Sequence, residues 1–254
     1  MEGVTDKLYL ENISKSFVDK KGNKFEVIKN LSLSVRPSEF LVILGPGLCG
    51  KTVLLNMVAG LETQSGGKIY LDGKVIEGTN SKIAMVFQKL GLLSWKTVIE
   101  NVEIGPKYAG VPKSKRRATA QKFIDLVGLT GFENSYPRQL SGGMKQRVGI
   151  ARAYAANPEI LVLDEPFGQL DAQTRFVMEN EILKTWESEN KTIIFVTNNI
   201  EEAVYLGDRI ILLSSCPAQI KKIYEVNLPR PRDVLDERFL ELRQEISDNM
   251  DLSV

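Results

Sequence analysis

Short apolar runs rich in β-branched residues recur along the chain at 8–13 (LYLENI), 31–35 (LSLSV), 40–45 (FLVILG), 68–73 (KIYLDG), 82–88 (KIAMVFQ), 160–165 (ILVLDE), 192–197 (TIIFVT) and 209–215 (RIILLSS), and each reads as a strand. Several are continuously apolar, the pattern of strands buried on both faces of a sheet. From about residue 89 the rhythm changes. PKSKRRATAQKFIDLVGL (112–129) and MKQRVGIARAYAAN (144–157) have helical spacing and composition, and no comparable strand lies between 89 and 155. The expected architecture is therefore an α/β core with a helical insertion. The tail, with LPRPRD (228–233) followed by DERFLELRQEISDNM (236–250), reads as a proline-punctuated connector and a terminal amphipathic helix.

Length and charge then narrow the partners. At 254 residues and about 150 residues per domain, one large domain or one domain with a sizeable insertion is expected. Lys+Arg is 33 against Asp+Glu 32, a formal charge of +1, so bulk electrostatics give no case for nucleic acid or an anionic membrane as partner. The basic run Lys113, Lys115, Arg116 and Arg117 reads as a solvated helix face rather than a lipid contact. No apolar run approaches the ~18 residues needed to span a bilayer. The start, MEGVTDKLYL, carries acids where a secretory signal would be basic and then apolar, and two cysteines 167 positions apart form no disulfide framework. A reducing cytosol is the expected compartment.

The chain contains no histidine. That excludes Ser-His-Asp and Cys-His catalysis, and with only Cys49 and Cys216 present it excludes the usual Cys/His zinc sites. Chemistry must rest on carboxylates, lysine, hydroxyls, amides and backbone.

GPGLCGKT (45–52) supplies such chemistry, because it fits G-x-x-x-x-G-K-[ST] between a strand and the helix-compatible VLLNMVAG. The loop Gly45, Pro46, Gly47, Leu48, Cys49 and Gly50 can turn backbone N–H groups inward around phosphates, and Val53 continues into the helix. Lys51 can reach the β- and γ-phosphates of a nucleotide, and the Thr52 hydroxyl can ligate Mg²⁺. ILVLDEP (160–166) ends a strand in two adjacent acids. Alternation along a strand would send Asp164 toward the metal and Glu165 toward a water attacking the γ-phosphate.

LSGGMKQR (140–147) resembles the signature motif of ATP-binding-cassette (ABC) ATPases. Ser141, Gly142 and Gly143 stand where a helix N-terminus is expected, an anion site by dipole and free amides; the resemblance implies that its anion is the γ-phosphate of an ATP held by a second such subunit. Phe17 resembles the aromatic that stacks on adenine, and a packed strand aromatic is the alternative. Gln88 resembles the glutamine that senses Mg²⁺ and the attacking water, and Asp171 resembles a loop aspartate contacting the other subunit, although it would also cap a helix. The stretches 92–102, 164–175, 199–220 and 228–233 resemble importer ATPases of the nitrate, sulfonate and taurine type, whose groove for a permease helix would here be formed by Leu92, Leu93, Ser94 and Trp95. Packing within the insertion is the other reading of those residues.

The resemblance implies a P-loop NTPase fold with an N-terminal antiparallel β portion: core at 1–88 and 158–228, helical subdomain at 89–157, helical tail at 229–254. It implies ATP and Mg²⁺, the metal held by Thr52, Gln88 and Asp164, with Glu165, Gln88, Lys51 and Asn198 serving hydrolysis. The implied partners are a membrane permease, a second ATPase subunit, identical or not, and indirectly an extracytoplasmic solute-binding protein; nucleic acid is not among them. The implied place is the cytoplasmic face of the membrane.

Several positions depart from the family pattern, among them Val53, where a hydroxyl residue usually follows Thr52, and Asn199, where an aspartate usually follows the switch histidine. Where relatives carry a switch histidine, this chain has Asn198; the common Ser-Gly of the cradle is Gly47-Leu48; and Arg138 precedes QLSGG where histidine is frequent. Asn198 can donate one hydrogen bond but is shorter and cannot become cationic. Two readings follow, a slow but competent ATPase, or a weak half of a heterodimer or regulatory switch whose signature serves another site. Intact Lys51, Gln88, Asp164 and Glu165 favour the first.

Overall fold

The computed structural model describes residues 6–250 except Lys89 and Gln169. The chain divides into two compact units, 1–80 with 192–254, and 81–191. In the first unit, strands β1 (Leu8–Val18) and β2 (Lys24–Val35) form an antiparallel hairpin in which Leu8 opposes Val35 and Phe17 opposes Phe25. Both strands run well past the apolar stretches that announce them, because pairing carries polar residues such as Lys15 and Glu26 into the ladder. Next come β3 (Phe40–Leu44), α1 (Lys51–Val58), β4 (Gly66–Leu71) and the short β5 (Lys74–Val75). β2, β1, β4 and β5 make an antiparallel sheet in that order, as the resemblance implies.

The second unit begins with β6 (Ile83–Val86), followed by α2 (Val98–Val102), α3 (Ile104–Tyr108), α4 (Lys113–Leu126) and α5 (Gly142–Ala155). It continues through β7 (Ile160–Asp164) and α6 (Ala172–Glu189). β6 and β7 are parallel, Ile83 opposing Ile160. The helical stretch expected from residue 89 thus belongs to a unit that also holds two strands and the long α6. Thr97 opens α2 with a capping box, its hydroxyl accepting from the Glu100 N–H while the Glu100 carboxylate accepts from the Thr97 N–H. Arg116 and Arg117 both reach the buried Glu103, at 3.2 and 3.4 Å, while Lys113 and Lys115 are exposed. Half of the basic run is therefore occupied within the helical bundle.

The chain returns to the first unit with β8 (Thr192–Thr197), α7 (Ile200–Leu206), β9 (Arg209–Leu213), β10 (Ile220–Glu225) and α8 (Glu237–Asn249). β3 lies between β8 and β9, parallel to both, and β10 adds an antiparallel edge to β9. Every residue of β3, β8 and β9 is buried, which is why these strands read as unbroken apolar runs. Glu39 and Arg209 pair at 2.9 Å in the core. LPRPRD serves the local structure: the Arg232 guanidinium donates to the carbonyls of Val204, Tyr205 and Gly207 at 2.7 to 3.0 Å, and Arg230 to the Leu206 carbonyl and Asp208. These are the acceptors a helix C-terminus leaves open, so the connector closes α7. Burial pushes the Arg232 pKa down to about 10, and the group stays cationic at neutral pH. No helix of the described residues is long and apolar enough to cross a membrane.

Candidate nucleotide site

The cradle loop joins the buried end of β3 to α1. Gly45 is buried, and a methyl group on it would meet Cys49 Sγ at 3.1 Å and Leu213 Cβ at 3.2 Å. Gly50 has φ 112°, and its Cβ would stand 3.0 Å from Val27 Cγ1, so position and conformation both demand glycine. Gly47 has open space around it. Leu48 takes φ 61° with its side chain 99% exposed. The turn that glycine commonly makes is therefore made by leucine in the left-handed region, at about 1–2 kcal/mol, with the side chain directed to solvent instead of into the loop. Pro46 and Cys49 are buried beside it, and burial raises the Cys49 thiol pKa.

Lys51, 5% exposed, donates to the carbonyls of Gly45 at 2.9 Å and Pro46 at 2.8 Å. Its ammonium is thus held at the mouth of the loop by the chain's own backbone. Thr52 is exposed and Val53 half-buried on the first turn of α1, whose N-cap Gly50 offers no side-chain acceptor. Amides at this end lack a side-chain cap, as an anion site requires.

In the other unit, Asp164 closes β7 and is buried. The sequence expectation that Asp164 and Glu165 alternate along one strand is corrected: the strand ends at Asp164, and Glu165 has φ 43°. A left-handed backbone, not strand alternation, separates the two carboxylates. A non-glycine residue there stores strain of order 1–3 kcal/mol, a feature concentrated at functional sites. Glu165 Oε2 accepts from Gln88 Nε2 at 3.4 Å, so two candidate residues 77 positions apart meet. Gln88 itself lies beyond β6, in an exposed bend.

Helix α5 begins at Gly142, two residues before the helical spacing announces it. Ser141 is its N-cap, the hydroxyl accepting from the Met144 N–H at 3.3 Å, and Gly142 has open space around it. Gly143 sits against Leu170 and Thr174, which a methyl group would approach to 3.3 and 3.6 Å. Serine and glycines therefore present the positive end of a 14-residue helix to solvent. Arg138 is exposed on the short 3₁₀ turn before it.

Asn198 is exposed just after β8, and its neighbour Asn199 caps α7, the side-chain oxygen accepting from the Glu201 and Glu202 N–H groups at 2.9 and 3.3 Å. The two asparagines thus play different parts, one as a cap and the other facing solvent. Phe17 is half-buried on β1 and stacks on the half-exposed Phe25 with ring centroids 5.8 Å apart, while Lys15 Nζ lies 4.8 Å from its centroid. Sequence pattern alone does not single out Phe25, because only its cross-strand register to Phe17 makes the pair. Asp171 caps α6, accepting from the Thr174 N–H and hydroxyl at 2.9 and 2.8 Å, and these bonds lower its pKa. Trp95 is 70% exposed, whereas Leu92 and Leu93 are half-buried. Asn101 and Arg152, which fasten this loop, also escape sequence reading; nothing in the local pattern distinguishes them from other polar helix positions.

The expected residues are thus divided between units, with Phe17, the cradle and Asn198 in one, and Gln88, both acids and Ser141 to Gly143 in the other. Residues 28–168 match the family described as ABC transporter. An uncharacterised ABC transporter ATP-binding protein of Methanocaldococcus jannaschii is 49% identical over 94% of this chain and 90% of its own length. A taurine import ATP-binding protein of Yersinia pestis is 45% identical over 85% of this chain and 84% of its own length. An aliphatic sulfonates import ATP-binding protein of Bacillus cereus is 40% identical over 93% of each. Among solved structures, the dimeric structure of a bacterial ABC transporter cassette superposes with TM-score 0.78 at 31% identity, covering 87% of this chain and 99% of that one. A post-hydrolysis state of that cassette bound to ADP and Pi gives TM-score 0.77 at 30% identity, over 87% and 99%. A glycine-dictated loop at GPGLCGKT, a capped helix at LSGGMKQR and similarity along nearly the whole length lead to one conclusion, that the chain belongs to the ABC transporter family, among its ATP-binding subunits.

Proposed function

We propose that the chain hydrolyses ATP as one of two subunits that drive a membrane importer for a small anion or organic solute of the sulfonate, taurine or nitrate class. The observation that carries this reading is the near full-length similarity to taurine and sulfonate import ATP-binding proteins, combined with an intact set of Lys51, Gln88, Asp164 and Glu165. In this reading Lys51 and the cradle amides bind the β- and γ-phosphates, and Phe17 supports the adenine. Ser141, Gly142 and Gly143 meet the γ-phosphate of ATP on the partner subunit. Glu165 accepts a proton from the attacking water, Gln88 orients both, and Asn198 donates to the transferring phosphoryl group.

The donor set also suits magnesium. Thr52, Gln88 and Asp164 offer oxygen atoms, the donor type this hard cation takes. Mg²⁺ is ordinarily held through one or two carboxylates together with substrate phosphates and water, and Asp164 would be that carboxylate, with Thr52 and Gln88 as neutral oxygen donors. When bound, it would neutralise phosphate charge.

A second reading, an impaired or regulatory subunit serving another site, draws on Asn198 and Leu48. The outward-facing Leu48 weakens it, since the cradle keeps its bend. Turnover by the complex that co-purifies with its permease tests both readings. Asn198→His is expected to raise the rate about 10²-fold, the value of one preorganised donor. An unchanged slow rate rules out the role assigned to Asn198, and failure to associate with any permease rules out the importer.

A further inference from the structure

The loop that presents Trp95 is fastened from two helices, α2, which directly follows it, and α5, far along the chain. On one side, the Arg152 guanidinium of α5 donates to the carbonyls of Leu90 at 2.6 Å and Gly91 at 2.9 Å. Gly149, one turn earlier, keeps room for Leu90, whose Cδ2 would lie 3.0 Å from an added methyl group. On the other side, Asn101 of α2 is fully buried and uses its whole amide on the loop. Its nitrogen donates to the carbonyls of Leu93, Lys96 and Thr97 at 3.0 to 3.1 Å, and its oxygen accepts from the Leu93 N–H at 2.8 Å. Two side chains thus reach backbone groups of the 90–97 segment, which forms no regular element, in six contacts within hydrogen-bond distance, the two Asn101 amide protons being shared among three carbonyls.

The Leu93 and Thr97 carbonyls also accept from the Lys96 and Asn101 N–H groups, but the Leu93 N–H and the Lys96 carbonyl are held by the buried Asn101 amide, and a buried side chain that ties several backbone groups together fixes their geometry. The segment begins two residues after Gln88, and α5 begins beside Ser141. We propose that Arg152 and Asn101 are positioning residues that make Leu90 to Thr97 one rigid element, through which nucleotide at Gln88 and a permease at Trp95 sense each other. This rests on the reading that Gln88 meets ATP and Trp95 meets the permease. Neither Arg152 nor Asn101 touches nucleotide in it. They decide whether an event at one end of the loop is felt at the other.

Hydrogen exchange of the 90–97 amides in the full chain, with and without ATP and Mg²⁺, tests this alongside the ATP dissociation constant. Wild type should show slow exchange that ATP changes severalfold. Arg152→Ala and the isosteric Asn101→Asp should speed exchange across 90–97 at least tenfold and abolish the response to ATP, while ATP affinity stays within threefold. Arg152→Lys, able to reach one carbonyl, should restore part of the response. Unchanged exchange in the variants, or a loosened loop that still responds fully to ATP, overturns the proposal. ATP binding by wild type with no response in 90–97 overturns it alone; failure of wild type to bind ATP overturns the functional reading and the proposal with it. Should Arg152→Ala not fold, Asn101→Asp and Arg152→Lys give the same discrimination.

Discussion

The loop that opens α1 and the loop that follows Gln88 are built by opposite means. The cradle is made almost entirely by its own chain: glycines at 45 and 50 meet the space and φ the turn demands, and Lys51 bonds to carbonyls five and six residues earlier. The segment from Leu90 to Thr97 draws its order from Asn101 and, 61 and 62 residues away, from Arg152. Gln88 likewise meets Glu165 only through the fold. Phosphate binding, the role proposed for the cradle, asks for fixed amides, which a short glycine-rich loop can supply. Communication between a site and a partner, the role proposed for 90–97, asks for a segment tied to elements that both can bias.

The largest effects should separate, by kinetics, the cradle from the carboxylate that Gln88 meets. Lys51→Ala removes the cradle's cation and should reduce turnover about 10²- to 10³-fold, together with a clear loss of affinity for ATP. Glu165→Gln should reduce turnover by about 10²- to 10⁴-fold, the range for a positioned general base, and leave ATP bound. Steady-state turnover beside equilibrium binding of a fluorescent ATP analogue reads both. If Glu165→Gln weakened binding as much as Lys51→Ala, the division between a holding region and a reacting region would be wrong.

The same contrast decides what can be read from the sequence. The buried strands β3, β7, β8 and β9 are continuous apolar runs, and the cradle, the signature helix and the two acids are local motifs, so each shows in one short window. The edge strand β10 has no such run, since its pattern IKKIYE is polar on the exposed face; it goes unread for that reason. α6 is likewise polar enough that its apolar positions do not stand out from AQTRFVMENEILKTWESE. Glu165 is legible as a candidate but its geometry is not, because no pattern of residue types reveals that the strand stops one position earlier. Arg152 is illegible in principle, because its bonds join positions whose proximity only the tertiary fold creates. Asn101 bonds to residues four to eight positions away, yet no residue-type pattern shows that its side chain folds back onto the loop before its helix.

Smaller effects test whether the cradle is as local as it looks. Gly50→Ala meets both a φ of 112° and a Val27 methyl at 3.0 Å, and should destabilise by about 1–3 kcal/mol. Gly47→Ala has open space and no positive φ, and should change stability by no more than about 0.5 kcal/mol. Leu48→Gly relieves a left-handed leucine and should stabilise by up to about 1 kcal/mol, less the chain entropy glycine adds to the unfolded state. Urea denaturation of the three variants gives these values. Equal effects at positions 47 and 50 would mean the glycines are not serving the conformations described.

The smallest effect concerns Asp171, another local device, which caps α6 through the Thr174 N–H and hydroxyl. Those bonds lower its pKa in the folded chain, so its contribution is present above the unfolded aspartate value and is lost as pH falls through the folded one. The first turn of α6 should therefore loosen on acidification, seen as faster exchange of the Thr174 amide once pH drops below the ordinary aspartate range. Asp171→Asn keeps an acceptor for that amide but removes the titration. It should hold the Thr174 amide near its neutral-pH protection and lose the acid-dependent step. If the step persisted in Asp171→Asn, the loosening would have to come from acids elsewhere, and α6 would be held from a distance as the 90–97 loop is.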